Sequence, residues 1–84
     1  MKLAEAMNTY NPALLEIKRR GYEISLELTE DGLTISTWKA MRNNIEVFGF
    51  NPLSLLGLIV IADQYGENWR QVDTGNLYDE ILEQ

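Results

Sequence analysis

The longest apolar stretch of the chain lies between Asn51 and Gly66 and predicts a central, buried helix. Asn51 suits the N-cap, Pro52 suits the first helical position, and Gly66 can take the left-handed conformation that ends a helix. Two turns of this helix carry no polar stripe, since they contain Leu53, Leu55, Leu56, Leu58, Ile59, Val60, Ile61 and Ala62. A helix that is apolar nearly all round is expected to be covered on most sides. Gly57, inside it, is expected to let another element approach closely.

Three other segments have apolar residues at helical spacing, and each predicts a helix. A short helix is predicted for residues 2–9, a second for residues 12–20 and a last one for residues 76–83. The second begins at Asn11 and Pro12, which repeat the start signal of the central helix. The chain is therefore expected to place helices on both sides of its middle section.

Between residues 22 and 50 the apolar positions alternate with polar ones, which is typical of half-buried strands. Asp31-Gly32 predicts a tight hairpin turn, and Asn43-Asn44 predicts a second one. The pattern therefore predicts a three-stranded antiparallel meander, with strands at about 22–29, 33–40 and 45–50.

Two-residue loops at both turns would fix how these strands pair, with Lys39 opposite Ile24 and Phe48. One face is then predicted to pack on the central helix, and it carries Tyr22, Ile24, Leu26, Leu28, Leu33, Ile35, Phe48 and Phe50. The same pairing puts Lys39 on this inner face. Either its side chain reaches out to the sheet edge, or a bulge lies near Thr37.

The opposite face of the predicted sheet carries an apolar cluster that a solvated face does not need, and it is the best candidate for a partner-binding surface. The cluster consists of Trp38, Ala40, Ile45 and Val47, and the acidic residues Glu23, Glu27 and Glu46 surround it. Trp38 is expected to lie opposite Gly49. The alternative is that the N-terminal segment or the C-terminal tail folds over the cluster.

Together these elements predict one α+β domain over residues 1–84, with N-terminal helices, the meander, the buried central helix and a C-terminal helix in two layers. The outer strands of such a sheet are edges that invite pairing with another copy unless they are charged or covered. Glu23, Glu27 and Glu46 are expected to discourage that pairing.

The composition narrows the classes of partner. The net charge is −6 and the pI is about 4.4, which argues against nucleic acid and against an anionic membrane surface. A basic protein would be a suitable partner, because opposite charge steers association. The longest apolar run is far shorter than the ~20 residues of a membrane span, and no signal peptide is recognised, so a cytoplasmic location is expected.

No residue is assigned a catalytic, cofactor-binding or metal-binding role, and no cofactor is expected. Cysteine and histidine are absent, which removes thiolate chemistry, zinc–thiolate sites and the commonest general base. Asp73-Thr74-Gly75 spells the active-site triplet of aspartic proteases, but neither flank fits and the triplet is good turn chemistry. The acidic residues lack the spacing of a calcium loop.

Three stretches of the chain resemble a family of small uncharacterised cyanobacterial proteins. They begin at Gly21 with GYEISLEL, at Ile35 with ISTWKA and at Asn51 with NPLSLLGL, and the likeness covers roughly residues 12–70. The family carries no assigned activity and no catalytic residues. The resemblance implies a cytoplasmic α+β protein of cyanobacterial type.

The leading functional hypothesis is a non-enzymatic binding or regulatory module that meets a protein partner through the Trp38 cluster. One alternative is a small-molecule-binding protein or a carboxylate-based enzyme, and another is a structural homodimer. A binding module should expose an apolar patch, whereas an enzyme should enclose polar groups around a carboxylate of raised pKa. On the leading hypothesis, Trp38→Ala weakens binding with little loss of fold.

Overall fold

The computed structural model describes all 84 residues, and they form three α-helices and a three-stranded antiparallel sheet. In chain order these elements are α1 (Tyr10–Arg19), β1 (Glu23–Leu28), β2 (Ile35–Arg42), β3 (Ile45–Gly49), α2 (Pro52–Tyr65) and α3 (Leu77–Leu82). Short 3₁₀ segments cover Met7–Thr9 and Gly66–Gln71. The predicted α+β fold is confirmed.

The limits of α2 are those that the sequence predicts. The Asn51 side chain accepts a hydrogen bond of 2.8 Å from the Ser54 backbone N–H, and Pro52 occupies the first turn. Gly66 follows the helix with a φ of +68°, a conformation that residues with a Cβ rarely adopt. Local capping chemistry therefore decides where this helix begins and ends.

Only one side of α2 is covered, so the prediction of a helix buried on most sides is wrong. Its buried residues are Pro52, Leu55 and Ile59, which face α1 and β3. Leu58, Val60 and Ile61 are exposed by 42%, 42% and 41%. The chain covers one side of this apolar helix with the sheet and α1 and leaves much of the other side exposed.

Gly57 does not provide a close approach, contrary to the sequence prediction, since a Cβ added there would meet no atom within 4 Å. The close approach is made instead by Gly49, near the end of β3. A Cβ on Gly49 would lie 2.9 Å from the backbone nitrogen of Leu55. The first turn of α2 therefore packs directly on the backbone of β3.

The strand order is β1-β2-β3, so β1 and β3 are both edge strands. The pairing of β2 with β3 is the predicted one, with Lys39 opposite Phe48 and Trp38 opposite Gly49. β1 and β2 start as predicted with Leu28 opposite Ile35, but their register then shifts by one residue. The shift is a β-bulge at Ser36, which was one of the two explanations for the unexpected place of Lys39.

The bulge reverses the predicted faces of β2 and β3 relative to β1, because a one-residue slip moves every following side chain to the other face. Ile24 lies opposite Ala40, and Ala40 lies opposite Val47, so these three residues share the inner face. The buried core consists of Ile17, Tyr22, Ala40, Val47, Leu55 and Ile59. Phe48 and Phe50 were predicted to belong to it, but both are exposed.

The two ends of the chain lie outside the two layers. Residues 1–6 form no helix, so the predicted helix at 2–9 is reduced to one 3₁₀ turn, and α1 begins at Tyr10 rather than at the Asn11–Pro12 signal. α3 forms close to the predicted place, but it does not pack as predicted. All four of its large apolar side chains are more than half exposed: Leu77, Tyr78, Ile81 and Leu82.

None of the helices combines the length and the apolar character that crossing a membrane would need.

A candidate partner-binding groove at the edge of the sheet

The six residues predicted as a partner-binding surface do not lie together. Ala40 and Val47 are core residues, and Trp38 and Ile45 pack against that core. Glu23 and Glu27 are exposed, and they pair with Met41 and Thr37 on the outer face of the sheet. The predicted cluster is thus divided between the two faces, because the bulge at Ser36 changes the side on which Trp38 lies.

A different surface has the properties that the Trp38 cluster was expected to have. An open groove of about 510 Å³ lies between β3, the second half of α2 and the 3₁₀ segment Gly66–Gln71. Its apolar lining includes Ile45, Val47, Phe48, Leu58, Ile61 and Trp69. We call it the edge groove. Two residues of the predicted surface, Ile45 and Val47, belong to it.

The floor of the edge groove is an unpaired strand. Arg42 and Ile45 pair across the turn that joins β2 to β3, so they form the hydrogen-bonded pair that closes the hairpin. Hydrogen-bonded and non-bonded pairs alternate along an antiparallel ladder, which directs the backbone groups of Glu46 and Phe48 away from β2. Neither residue takes part in a backbone hydrogen bond outside the sheet and helices. Their N–H and C=O groups are therefore available to another strand.

The charge at the rim of the groove is partly compensated within the chain. Lys39 Nζ lies 3.4 Å from Glu46 Oε1 and 5.6 Å from the centre of the Phe48 ring. Glu67 is the other acidic residue of the lining. The floor and walls of the groove are therefore mainly apolar. Glu67, at the rim, is an acidic side chain without an ion pair.

A second cluster of charged and polar side chains joins the end of α1, β2 and α2. Asp63 accepts hydrogen bonds from Arg42 (2.8 Å), Arg20 (3.2 Å) and the Tyr22 hydroxyl (2.7 Å). Arg42 also stacks on the Tyr22 ring, at 4.3 Å from its centre, and donates to the backbone carbonyl of Arg20 at 2.7 Å. We call these four residues the Asp63 cluster.

The pKa values in the Asp63 cluster follow from these contacts. Partial burial alone would raise the pKa of the Asp63 carboxyl, but the hydrogen bonds from Tyr22, Arg20 and Arg42 outweigh burial and lower it. Burial raises the pKa of the Tyr22 hydroxyl, and its bond to Asp63 raises it further. Every group has a partner, so the cluster fastens three elements together and leaves no reactive group free.

The sequence gives no sign of the Asp63 cluster, because Arg42 and Arg20 lie 21 and 43 positions from Asp63. It does give a partial sign of the edge groove. Because α2 has no polar stripe, Leu58 and Ile61 were expected to be covered by other elements of the chain, but both are exposed in the structure.

No group of three acidic residues is placed to hold a metal ion. The pKa values of Asp31 and Asp63 both lie below the ordinary value of an aspartate. The hydrogen bonds from Thr29 and from the Leu33 amide hold the pKa of Asp31 below its ordinary value.

We compared the chain with protein-family models, with curated proteins and with solved structures, and none of the three comparisons found a match. The resemblance to small cyanobacterial proteins stays a prediction from the sequence. The edge groove therefore has to be interpreted from its own geometry.

Proposed function

We propose that the chain is a non-enzymatic protein-binding module, and that the edge groove binds an extended segment of a protein partner. The segment adds to the sheet beside β3 and places its inward side chains against α2. Binding modules that extend a sheet in this way take affinity from backbone hydrogen bonds and specificity from alternate side-chain pockets. The edge groove supplies both kinds of contact.

The observation that carries this proposal is the place of the groove between an unpaired strand and an uncovered apolar helix. Strand edges are normally blocked by a helix, a loop, a bulge or charge. Along β3 the one charged residue is Glu46, and its ion pair with Lys39 offsets the charge that was expected to discourage pairing. No helix or loop of the chain covers this edge, and the neighbouring wall is made of Leu58, Ile61 and Trp69. A partner strand would satisfy the backbone of Glu46 and Phe48 and remove this apolar wall from water.

The same features favour binding over catalysis. Catalytic sites bring together titratable groups whose pKa values are moved toward the working pH, often by raising that of a carboxylate. The lining of the groove is mainly apolar, and the shifted carboxylates Asp31 and Asp63 are shifted in the opposite direction. We include in the proposal the cytoplasmic location that the sequence leads us to expect.

The test is selection of short random peptides on the chain, immobilised at low density so that copies do not meet. Four variants then locate the binding site of the selected peptides. Glu46→Pro removes an N–H that points into the groove, and Glu46→Thr is its control because it keeps the N–H. Leu58→Lys places a charge on the apolar wall, and Leu15→Lys does the same on an exposed part of α1.

We expect selected peptides with alternating apolar residues that bind the wild-type chain, Glu46→Thr and Leu15→Lys equally. They should bind Glu46→Pro and Leu58→Lys at least about tenfold more weakly, since each loses a contact worth about 1.4 kcal/mol or more. Peptides that bind all four variants alike would refute the proposal, because they would occupy another surface.

A further inference from the structure

Resting on that proposed function, we infer that the partner segment is β3 of a second copy of this chain. The two β3 strands pair antiparallel across a two-fold axis and join the sheets into one of six strands, three from each copy. A two-fold contact uses the same surface on both copies, so the edge groove must be complementary to itself. Strand register, helix position and surface area each support this.

The register follows from the direction of the free backbone groups. Since Glu46 and Phe48 carry them, an antiparallel contact can place Glu46 opposite Glu46, Phe48 opposite Phe48, or Glu46 opposite Phe48 of the other copy. The first juxtaposes like charges, and the second forms hydrogen bonds around a single central pair. The third makes about four backbone hydrogen bonds and sets each Glu46 opposite an aromatic ring. It centres the two-fold axis on Val47.

The position of α2 makes the same contact favourable on the inner face. α2 packs on α1 and β3, and its exposed side forms the wall of the groove beyond the β3 edge. Pairing of the two β3 strands therefore brings the two α2 helices side by side. Leu58, Ile61 and Trp69 of each copy then meet their counterparts across the axis. This contact provides the cover that the apolar sequence of α2 requires.

The surface area of one chain is larger than its mass predicts. A compact monomer of 9.7 kDa has about 5,100 Å² of accessible surface, whereas this chain has 7,074 Å². Its radius of gyration is 15.0 Å, compared with about 12 Å for a compact chain of this length. Part of the excess belongs to the projecting ends. A standard interface removes about 800 Å² from each partner, which the excess readily accommodates.

Charge opposes the contact at long range but not in the groove itself. Each copy carries a net charge of −6, so two copies repel each other at low salt. At the interface, the ion pair of Glu46 with Lys39 compensates the acidic group nearest to the axis. Self-association should therefore strengthen as salt is added, whereas binding of a basic protein would weaken.

The first experiment measures the solution mass of the full chain by analytical ultracentrifugation, over a dilution series and at low and high salt. We expect a reversible dimer, with twice the 9.7 kDa mass of one chain, that tightens at high salt. Glu46→Pro and Leu58→Lys should each raise the dissociation constant at least about tenfold, and Glu46→Thr and Leu15→Lys should leave it nearly unchanged. Circular dichroism identifies any variant that fails to fold.

The second experiment reads the register, using the absence of cysteine from the chain. The single-cysteine variants Glu46→Cys, Val47→Cys and Phe48→Cys are each oxidised under mild conditions, with Ser25→Cys on the other edge strand, β1, as the control. Facing Cβ atoms at a non-hydrogen-bonded pair are close enough for a disulfide. We expect efficient cross-linking of Val47→Cys alone, because only Val47 faces its own copy.

A chain that stays monomeric at every concentration and salt overturns the self-pairing, and so does a dimer that Glu46→Pro and Leu58→Lys both leave intact. Cross-linking through Ser25→Cys would likewise overturn it, by placing the contact at β1. These failures are distinct from failure of the proposed function. A monomer that still selects groove-binding peptides keeps the binding module and identifies its partner as another protein.

Discussion

Replacing Gly49 with alanine tests the direct packing of α2 on the backbone of β3. The new Cβ would lie 2.9 Å from the Leu55 nitrogen and 3.0 Å from the Leu55 Cα. Both are backbone atoms, so a change of rotamer cannot relieve the contact, and the first turn of α2 must move away by about half an ångström to reach ordinary van der Waals distance. That movement loosens Leu55, which is fully buried in the core.

Two opposing effects decide how much Gly49→Ala changes the free energy of unfolding. Overpacking a core contact costs about 1–3 kcal/mol, whereas replacing a strand glycine recovers about 0.5–1 kcal/mol of backbone entropy. The central values of these ranges, about 2 and about 0.75 kcal/mol, predict that the free energy of unfolding falls by about 1.3 kcal/mol. For a domain of this size, such a loss lowers the melting temperature by roughly 5–10 °C.

Urea unfolding followed by circular dichroism measures the change, at one protein concentration because self-association would add to the apparent stability. Gly57→Ala is the matched control, since its Cβ would meet no atom within 4 Å and alanine favours a helix by about 1 kcal/mol. It should raise the stability. If Gly49→Ala is as stable as the wild-type chain, α2 does not pack on β3 as closely as described.

Two further predictions concern the core and the Asp63 cluster. Trp38→Ala should lower the free energy of unfolding by about 2 kcal/mol or more, because Trp38 packs against the core. If the variant is as stable as the wild-type chain, Trp38 lies on the outer face of the sheet, as the sequence predicted. The Asp63 carboxyl has a lowered pKa in the folded chain, so its stabilisation is complete above the unfolded pKa of about 3.9 and is lost as the pH falls below it. Asp63→Asn should therefore be less stable at pH 7 and lose less stability than the wild-type chain below about pH 4. Denaturant unfolding at several pH values measures this, and an unchanged acid dependence would contradict the assigned contacts.

Asp31→Asn separates the contributions of Asp31 and Asp63 to the loss of stability in acid. Asp31 also has a lowered pKa, but it lies in the exposed turn between β1 and β2. It should alter the acid dependence without loosening the contact between α1, β2 and α2. The two variants together show whether acid sensitivity arises in the turn or in the Asp63 cluster.

Features that depend on neighbouring residues could be predicted from the sequence. The limits of α2 follow from Asn51, Pro52 and Gly66, because caps act on backbone groups within one turn. The pairing of β2 with β3 follows from the two-residue turn at Asn43-Asn44, because a short loop fixes the register of a hairpin. These interactions span only a few positions, so local chemistry is sufficient to predict them.

Which face of the sheet is buried depends instead on packing between distant parts of the chain. The bulge at Ser36 shifts β1 against β2 by one residue, and that single residue exchanges Trp38 and Ala40 with Lys39 and Thr37 between the two faces. The sequence allowed the bulge but did not require it. The choice is made by the gain from placing Ala40 and Val47, rather than Lys39 and Phe48, against α2.

The candidate site also required the tertiary structure, because its parts are far apart in the chain. The apolar character of α2 predicted that it needs cover, but only the packed chain shows which side stays open. Leu58 and Ile61 form one wall of the groove because α1 and the sheet can cover a single side of α2. Periodicity records how much apolar surface a helix carries, whereas the elements packed against it decide where that surface remains available for binding.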